Sequence, residues 1–191
     1  MEPLILASGS PRRKELLARV NLPFETDVAD VDEHCDLPAR SAVEALSRRK
    51  ALAVASRHAG RYVLGADTLV ALGDEVLGKP KDAEEACAML RRLSGETHQV
   101  YTGVTLVSPD GAVRTASDRS DVTFCPLSDA DISAYVESGE PLDKAGSYAM
   151  QGRASLWITH LDGSDTSVIG LPLYLVRRLL MESGYPLSPE L

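Results

Sequence analysis

Ser8-Gly9-Ser10-Pro11-Arg12-Arg13-Lys14 sets three cations in a row where the apolar run Leu4 to Ala7 gives way to a helix. Ser10 followed by Pro11 reads as an N-cap with proline at the first helical position. A helix N-terminus gathers free N–H groups and the positive end of the dipole, which suits an anion. Cations there are disfavoured by roughly 0.3–1 kcal/mol each at a surface, and a bound polyanion removes that conflict. Arg13 shares helical spacing with Leu16, Leu17 and Val20, which turns it toward the apolar side. Taken alone, the segment is either a phosphate site or a solvated basic turn.

Lys50 repeats the anomaly, because Val43, Leu46, Lys50 and Ala53 fall on one helix face. A lysine on that face needs a partner, a shifted pKa, or room to snorkel at its edge. Lys79-Pro80-Lys81 forms a third basic group, just before a helix that starts at Asp82. Asp67 lies in the apolar run Tyr62 to Val70, where an ionised carboxylate costs several kcal/mol unless it is paired or metal-bound. It is a metal ligand or a base for water, or else a strand-end Asp that is solvated or paired to a lysine. Gly65, beside it, is expected to let a ligand approach the backbone. The acidic group Asp30 to Glu33 is a solvated loop or the source of a second carboxylate; Mg²⁺ takes one or two, plus substrate phosphates.

These groups must be held by short strands and capped helices. Leu4 to Ala7 and Pro23 to Val28 read as extended, and helices are expected over Pro11 to Val20 and Ala39 to His58. Arg61 to Leu72 and Glu75 to Leu77 read as strands around a Gly73-Asp74 turn. A helix over Asp82 to Leu93 opens on a capping-box-like Asp82/Glu85 pair. Strands His98 to Val107 and Val113 to Cys125 join across Pro109-Asp110-Gly111. A helix starts at Ser128 and stops before Gly139. Strands are expected at Ser147 to Met150 and Ser155 to Leu161, and a last helix at Leu171 to Glu182. The mixture predicts one α/β domain over residues 1–191 with a mixed sheet.

Composition removes other classes. The 191 residues carry a formal net charge of -8, against the basic face of a protein that binds nucleic acid polymers. No apolar run is long enough to span a bilayer, and the N-terminus lacks the pattern of a signal peptide, so a cytoplasmic protein is expected. Three widely spaced cysteines, Cys35, Cys87 and Cys125, suggest reduced thiols rather than a disulfide framework or zinc site. Walker A, Rossmann and nucleophile-elbow patterns do not occur.

Seven blocks in order resemble the Maf family of nucleoside triphosphate pyrophosphatases. They are Leu6 to Leu17, Arg49-Lys50-Ala51, Gly65-Ala66-Asp67-Thr68, Gly78 to Ala83, Leu93-Ser94-Gly95, Pro141 to Tyr148 and Gly170 to Leu173. The resemblance implies an ITPase-like α/β fold, an elongated mixed sheet flanked by helices, with two lobes and a central cleft. It implies hydrolysis between the α- and β-phosphates, dependence on Mg²⁺ or Mn²⁺, and often a homodimer. By matching position, Asp67 is similar to the family's catalytic carboxylate. Ser8, Arg13, Glu33, Lys50, Lys79 and Lys81 match the substrate and metal cleft, with Glu33 and Asp67 toward the metal. Arg12, Thr68 and Gln151 look like the branch that prefers dTTP and UTP; a 7-methyl-GTP branch tends to carry Glu in place of Gln151 and Gln in place of Thr68. An amide meets the acceptor–donor–acceptor edge of uracil or thymine from both its ends, whereas the two donors of guanine suit a carboxylate. Arg153-Ala154-Ser155 departs from relatives that are richer in glycine here. A role in nucleotide house-cleaning is one reading; a nucleotide-binding regulator of septum formation without turnover is another.

Overall fold

The computed structural model describes residues 2–187. In chain order it contains β1 (Leu4–Leu6), α1 (Pro11–Arg19), β2 (Phe24–Thr26), α2 (Ala39–Ala55), β3 (Val63–Leu72), β4 (Glu75–Leu77) and α3 (Ala83–Leu93). There follow β5 (Thr97–Val107), β6 (Val113–Phe124), α4 (Asp129–Glu137), 3-10 turns at Glu140–Asp143, Ala145–Ser147 and Arg153–Trp157, β7 (Ile158–Asp162), α5 (Asp165–Ile169) and α6 (Leu173–Glu182). The strands form a seven-stranded sheet in the order β2-β1-β3-β5-β6-β7, with β4 paired to β3. β1 is parallel to β2 and β3, whereas β4 on β3 and β7 on β6 are antiparallel. The sheet is therefore mixed, as the alternation of helices and hairpins requires.

The chain divides into two compact units. The first takes in Met1–Asp67, Thr102–Asp118 and Gly170–Leu191. Its core includes Ile5, Ala7, Ala51, Val54, Val63 and Val107. Helix α2 lies unusually close to two strands. A Cβ on Gly65 would stand 2.4 Å from the Ser47 carbonyl oxygen, and one on Gly103 would stand 2.2 Å from that of Val43. Gly65 thus accommodates a helix backbone, which corrects the expectation that it admits a ligand. Gly103→Ala should destabilise the protein by about 3 kcal/mol, since backbone rather than a movable side chain must give way. The shift of the urea midpoint at constant m-value measures this.

The second unit takes in Thr68–Tyr101 and Arg119–Ile169. Helix α3 is capped by Asp82, whose carboxylate accepts from the Glu85 amide at 2.8 Å, while Glu85 reaches back to the Lys81 amide at 2.7 Å. Helix α4 opens on a complete capping box between Ser128 and Asp131. Phe124, Tyr135, Tyr148 and Trp157 build the core with edge-to-face ring contacts, 4.9 Å between centroids for Tyr135 and Trp157. His98 is enclosed there, its Nε2 2.8 Å from the Tyr148 hydroxyl, and burial pushes its pKa down to about 4. It is a neutral core residue.

The expected strand at Ser147 to Met150 is absent, and Arg153–Trp157 is a 3-10 turn, with β7 starting at Ile158. Gly146 and Ser147 both take positive φ, 67° and 58°, which stops an extended run before it starts. The short helix α5 had no periodic signal long enough to announce it. Among the described residues no helix is long and apolar enough to cross a membrane.

Candidate active site

Within the first unit, five of the residues singled out in the sequence converge. Asp67 sits on β3 after Val63 to Ala66, all fully buried, and is itself buried. Lys50 is carried toward it by α2, whose buried face comprises Ala42, Val43, Leu46, Ser47, Ala51 and Val54. The Lys50 ammonium donates to Asp67 Oδ1 at 2.6 Å and lies 2.7 Å from Glu33 Oε1. Its side chain and that of Asp67 are each 10% exposed, whereas Glu33 is 54% exposed. The inward lysine of the sequence reading is therefore paired, and it cross-links two carboxylates.

Arg13 comes from the first turn of α1. Its Nε donates to the Gly170 carbonyl at 2.8 Å and its Nη1 to the Ser8 hydroxyl at 3.0 Å. Ser8 also accepts from the Ser10 amide at 3.2 Å, so it organises the turn that Ser10 was expected to cap; Ser10 makes no side-chain cap bond. Burial pushes the pKa of Arg13 down, Asp67 and Glu33 push it back up, and Arg12 adds to the lowering. Two carboxylates and a second guanidinium thus act on one fixed cation. Arg12 is half-buried on the same turn.

Glu33 is on a loop, and side chains of α2 and its C-terminal end hold that loop. Arg57 donates to both oxygens of Asp27, at 3.0 and 2.9 Å, and His58 Nε2 lies 2.8 Å from Asp27. The two contacts hold the Asp27 carboxyl below its usual range, Arg57 contributing most. Arg49 donates to the carbonyls of Asp32 and His34. These tethers were missed in the sequence, where Arg49 could be flagged through its place beside Lys50 and Asp27 could not.

In the second unit, Thr68 follows on β3 and is half-buried; Lys79, Lys81 and Gln151 are exposed. The Gly146 amide donates to the Gly78 carbonyl at 3.1 Å. This ties the basic loop that follows β4 to the segment leading to Gln151.

Among the described residues no group of three or more His, Cys, Asp or Glu side chains could hold a metal unaided. Glu33 and Asp67 nonetheless converge on one cationic point, and Mg²⁺ is commonly held by one or two carboxylates completed by phosphate oxygens and water. The donor set fits a divalent ion that binds together with phosphate. Chemically, the first unit presents a fixed guanidinium, an ammonium and a buried carboxylate around one point. That arrangement can neutralise phosphate oxygens and hold a base beside a phosphorus atom.

The family model described as Maf-like protein matches residues 3–183. A dTTP/UTP pyrophosphatase of Myxococcus xanthus is 53% identical over 186 residues, 96% of this chain and 94% of that protein. A dTTP/UTP pyrophosphatase of Symbiobacterium thermophilum is 52% identical over 190 residues, covering 98% and 97%. Among solved structures, the Staphylococcus aureus Ham1 protein superposes with a TM-score of 0.52 at 12% identity, over 95% of this chain and 99% of that one. At that identity the likeness concerns the fold.

Proposed function

The chain belongs to the Maf family, and from that premise we propose that it hydrolyses dTTP and UTP to the nucleoside monophosphate and pyrophosphate. The observation that carries the proposal is the Lys50 ammonium held between Asp67 and Glu33, beside the fixed guanidinium of Arg13. The activity named for relatives at about half identity over nearly the whole chain points the same way.

In this reading the triphosphate meets the Ser8 to Lys14 turn, with Arg13 and Lys50 neutralising its oxygens. Lys79 and Lys81 are substrate residues by their match to the family's motif. Asp67 takes the proton of a water that attacks the α-phosphorus in line. The bond from the α-phosphorus to the α–β bridging oxygen breaks, the water oxygen stays on the monophosphate, and pyrophosphate leaves with its charge held by the cations. Mg²⁺ or Mn²⁺, held by Glu33 and Asp67 with phosphate oxygens, would supply Lewis-acid polarisation of the phosphate. Lys50 also bridges the two carboxylates and so sets their separation.

Gln151 is assigned to the base, its amide meeting the acceptor and donor of the uracil or thymine edge, with Arg12 and Thr68 supporting the same branch. The proposal includes a cytoplasmic setting, in keeping with three free thiols, and a homodimer by family resemblance. A panel of dTTP, UTP, CTP, GTP and 7-methyl-GTP, assayed for pyrophosphate and orthophosphate, tests it. Pyrophosphate from dTTP and UTP is expected. Preference for 7-methyl-GTP would overturn the assignment of Gln151, and saturable binding without product would overturn the enzyme.

A further inference from the structure

Gln151 is exposed, yet the backbone on both sides of it is held from within the second unit. On one side the Ala149 amide donates to the Tyr135 hydroxyl at 3.1 Å. That hydroxyl in turn donates to Glu140 Oε1 at 2.9 Å. On the other side the Glu140 carboxylate lies over Gly152: a Cβ there would stand 1.7 Å from Oε1, and the Arg153 amide approaches Oε2 at 3.5 Å. The loop is closed by the Gly152 amide donating to the Ala149 carbonyl at 3.0 Å.

The Tyr135 ring is 1% exposed and anchored edge-on against Trp157. Burial pushes its pKa up, so the hydroxyl keeps its proton and remains the donor to Glu140. The Lys144 ammonium donates to the Glu140 carbonyl at 2.5 Å, steadying the residue that carries the carboxylate. A buried phenol and one carboxylate thus hold the loop at residues 149, 152 and 153, on both sides of a solvent-exposed amide. Such ordering costs side-chain and loop freedom, and it is the kind of support that holds a binding group in a fixed orientation.

We infer that Tyr135 and Glu140 form a latch that orients Gln151, and so set the discrimination between nucleobases. The inference rests on the reading of Gln151 as the residue that meets the base. Tyr135 and Glu140 are positioning residues: they act through the 149–153 loop and leave the phosphate chemistry of the first unit untouched. An amide reads a base edge through two directional hydrogen bonds, so a loosened loop loses selectivity before it loses turnover. The conserved shape of Gln allows Glu140→Gln to keep accepting from Tyr135 through its amide oxygen.

The test compares Tyr135→Phe, Glu140→Ala, Glu140→Gln and Gln151→Ala, with kcat and KM measured for dTTP and CTP. Tyr135→Phe and Glu140→Ala should each raise the KM for dTTP and narrow the dTTP/CTP ratio of kcat/KM by roughly tenfold, the worth of about one well-aligned hydrogen bond. Their kcat for dTTP should stay within about threefold of the parent, and Glu140→Gln should keep the parent ratio. If Gln151→Ala narrows the ratio while Tyr135→Phe and Glu140→Ala leave it unchanged, the latch is overturned alone. If Gln151→Ala itself leaves the ratio unchanged, the reading of Gln151 falls and the latch with it.

Discussion

Asp67→Asn is expected to lower kcat for dTTP by roughly 10²–10⁴-fold, the usual contribution of a positioned general base. Asparagine keeps the shape of the side chain, and its amide oxygen can still accept from Lys50, which now donates to Asp67 Oδ1 at 2.6 Å. The protein should therefore fold as before, with the loss falling on kcat rather than KM. Steady-state kinetics beside a thermal melt separates the two effects. Near-normal turnover in a folded Asp67→Asn protein would remove Asp67 from the chemistry.

Lys50→Met should be costly in a different way. Methionine fills the volume along the α2 face, but leaves Asp67, 10% exposed, facing Glu33 with no cation between them. Removing one partner of a buried ion pair typically destabilises by about 3–5 kcal/mol, because the remaining charge is stranded. Glu33 is half-exposed, so the expected loss is at the lower end, about 3 kcal/mol. Urea unfolding in the presence of a chelator measures it, so that no divalent ion substitutes for the ammonium. The double variant Lys50→Met/Asp67→Asn should recover most of the loss, since no buried charge is then left unpaired. Simple addition of the two single losses would show that Lys50 and Asp67 are not coupled as the geometry requires. Activity should fall in both proteins, since the phosphate loses a cation.

The parts of this site that local physics dictates were legible in the sequence. Lys50 could be read as inward-facing because helical spacing aligns it with Val43 and Leu46, and it is buried among such residues in the fold. Asp67 could be singled out because a carboxylate inside an apolar strand needs a partner. The cations of the first α1 turn stood against the helix dipole, and Arg13 proves to be a fixed guanidinium beside carboxylates. What could not be read depends on contacts distant in the chain. Gly170 supplies a carbonyl to Arg13 across 157 residues, and the Asp27–Arg57 pair spans 30. No periodicity marks either. Glu33 could be paired with Asp67 as a second carboxylate from the acidic group Asp30 to Glu33, but its bond to Lys50 depends on a loop that no local pattern places.

Gly65 shows a different limit. A glycine in a strand signals that something approaches the backbone, and the sequence cannot say whether it is a ligand or a helix. Here α2 itself occupies the space, and its close approach along β3 and β5 is what lets Lys50 reach Asp67. The segment from Ser147 to Trp157 misleads because its short apolar runs, Tyr148 to Met150 and Leu156 to Trp157, read as strand-like. Two consecutive positive-φ residues and a 3-10 turn shape it instead. Gln151 lies on this irregular stretch, so its support by Tyr135 and Glu140 was invisible to any pattern in the sequence.

In the proposed reaction water attacks the α-phosphorus with Asp67 as the base. It is tested most directly by hydrolysing dTTP in water enriched in ¹⁸O, with Mg²⁺ present, and reading both products by ³¹P NMR. One labelled oxygen on the phosphorus of dTMP and unlabelled pyrophosphate are expected. Label in pyrophosphate, with dTMP unlabelled, would place the attack at the β-phosphorus. Labelled orthophosphate would place it at the γ end of the chain. Either result would contradict the chemistry assigned to Asp67, Lys50 and Arg13.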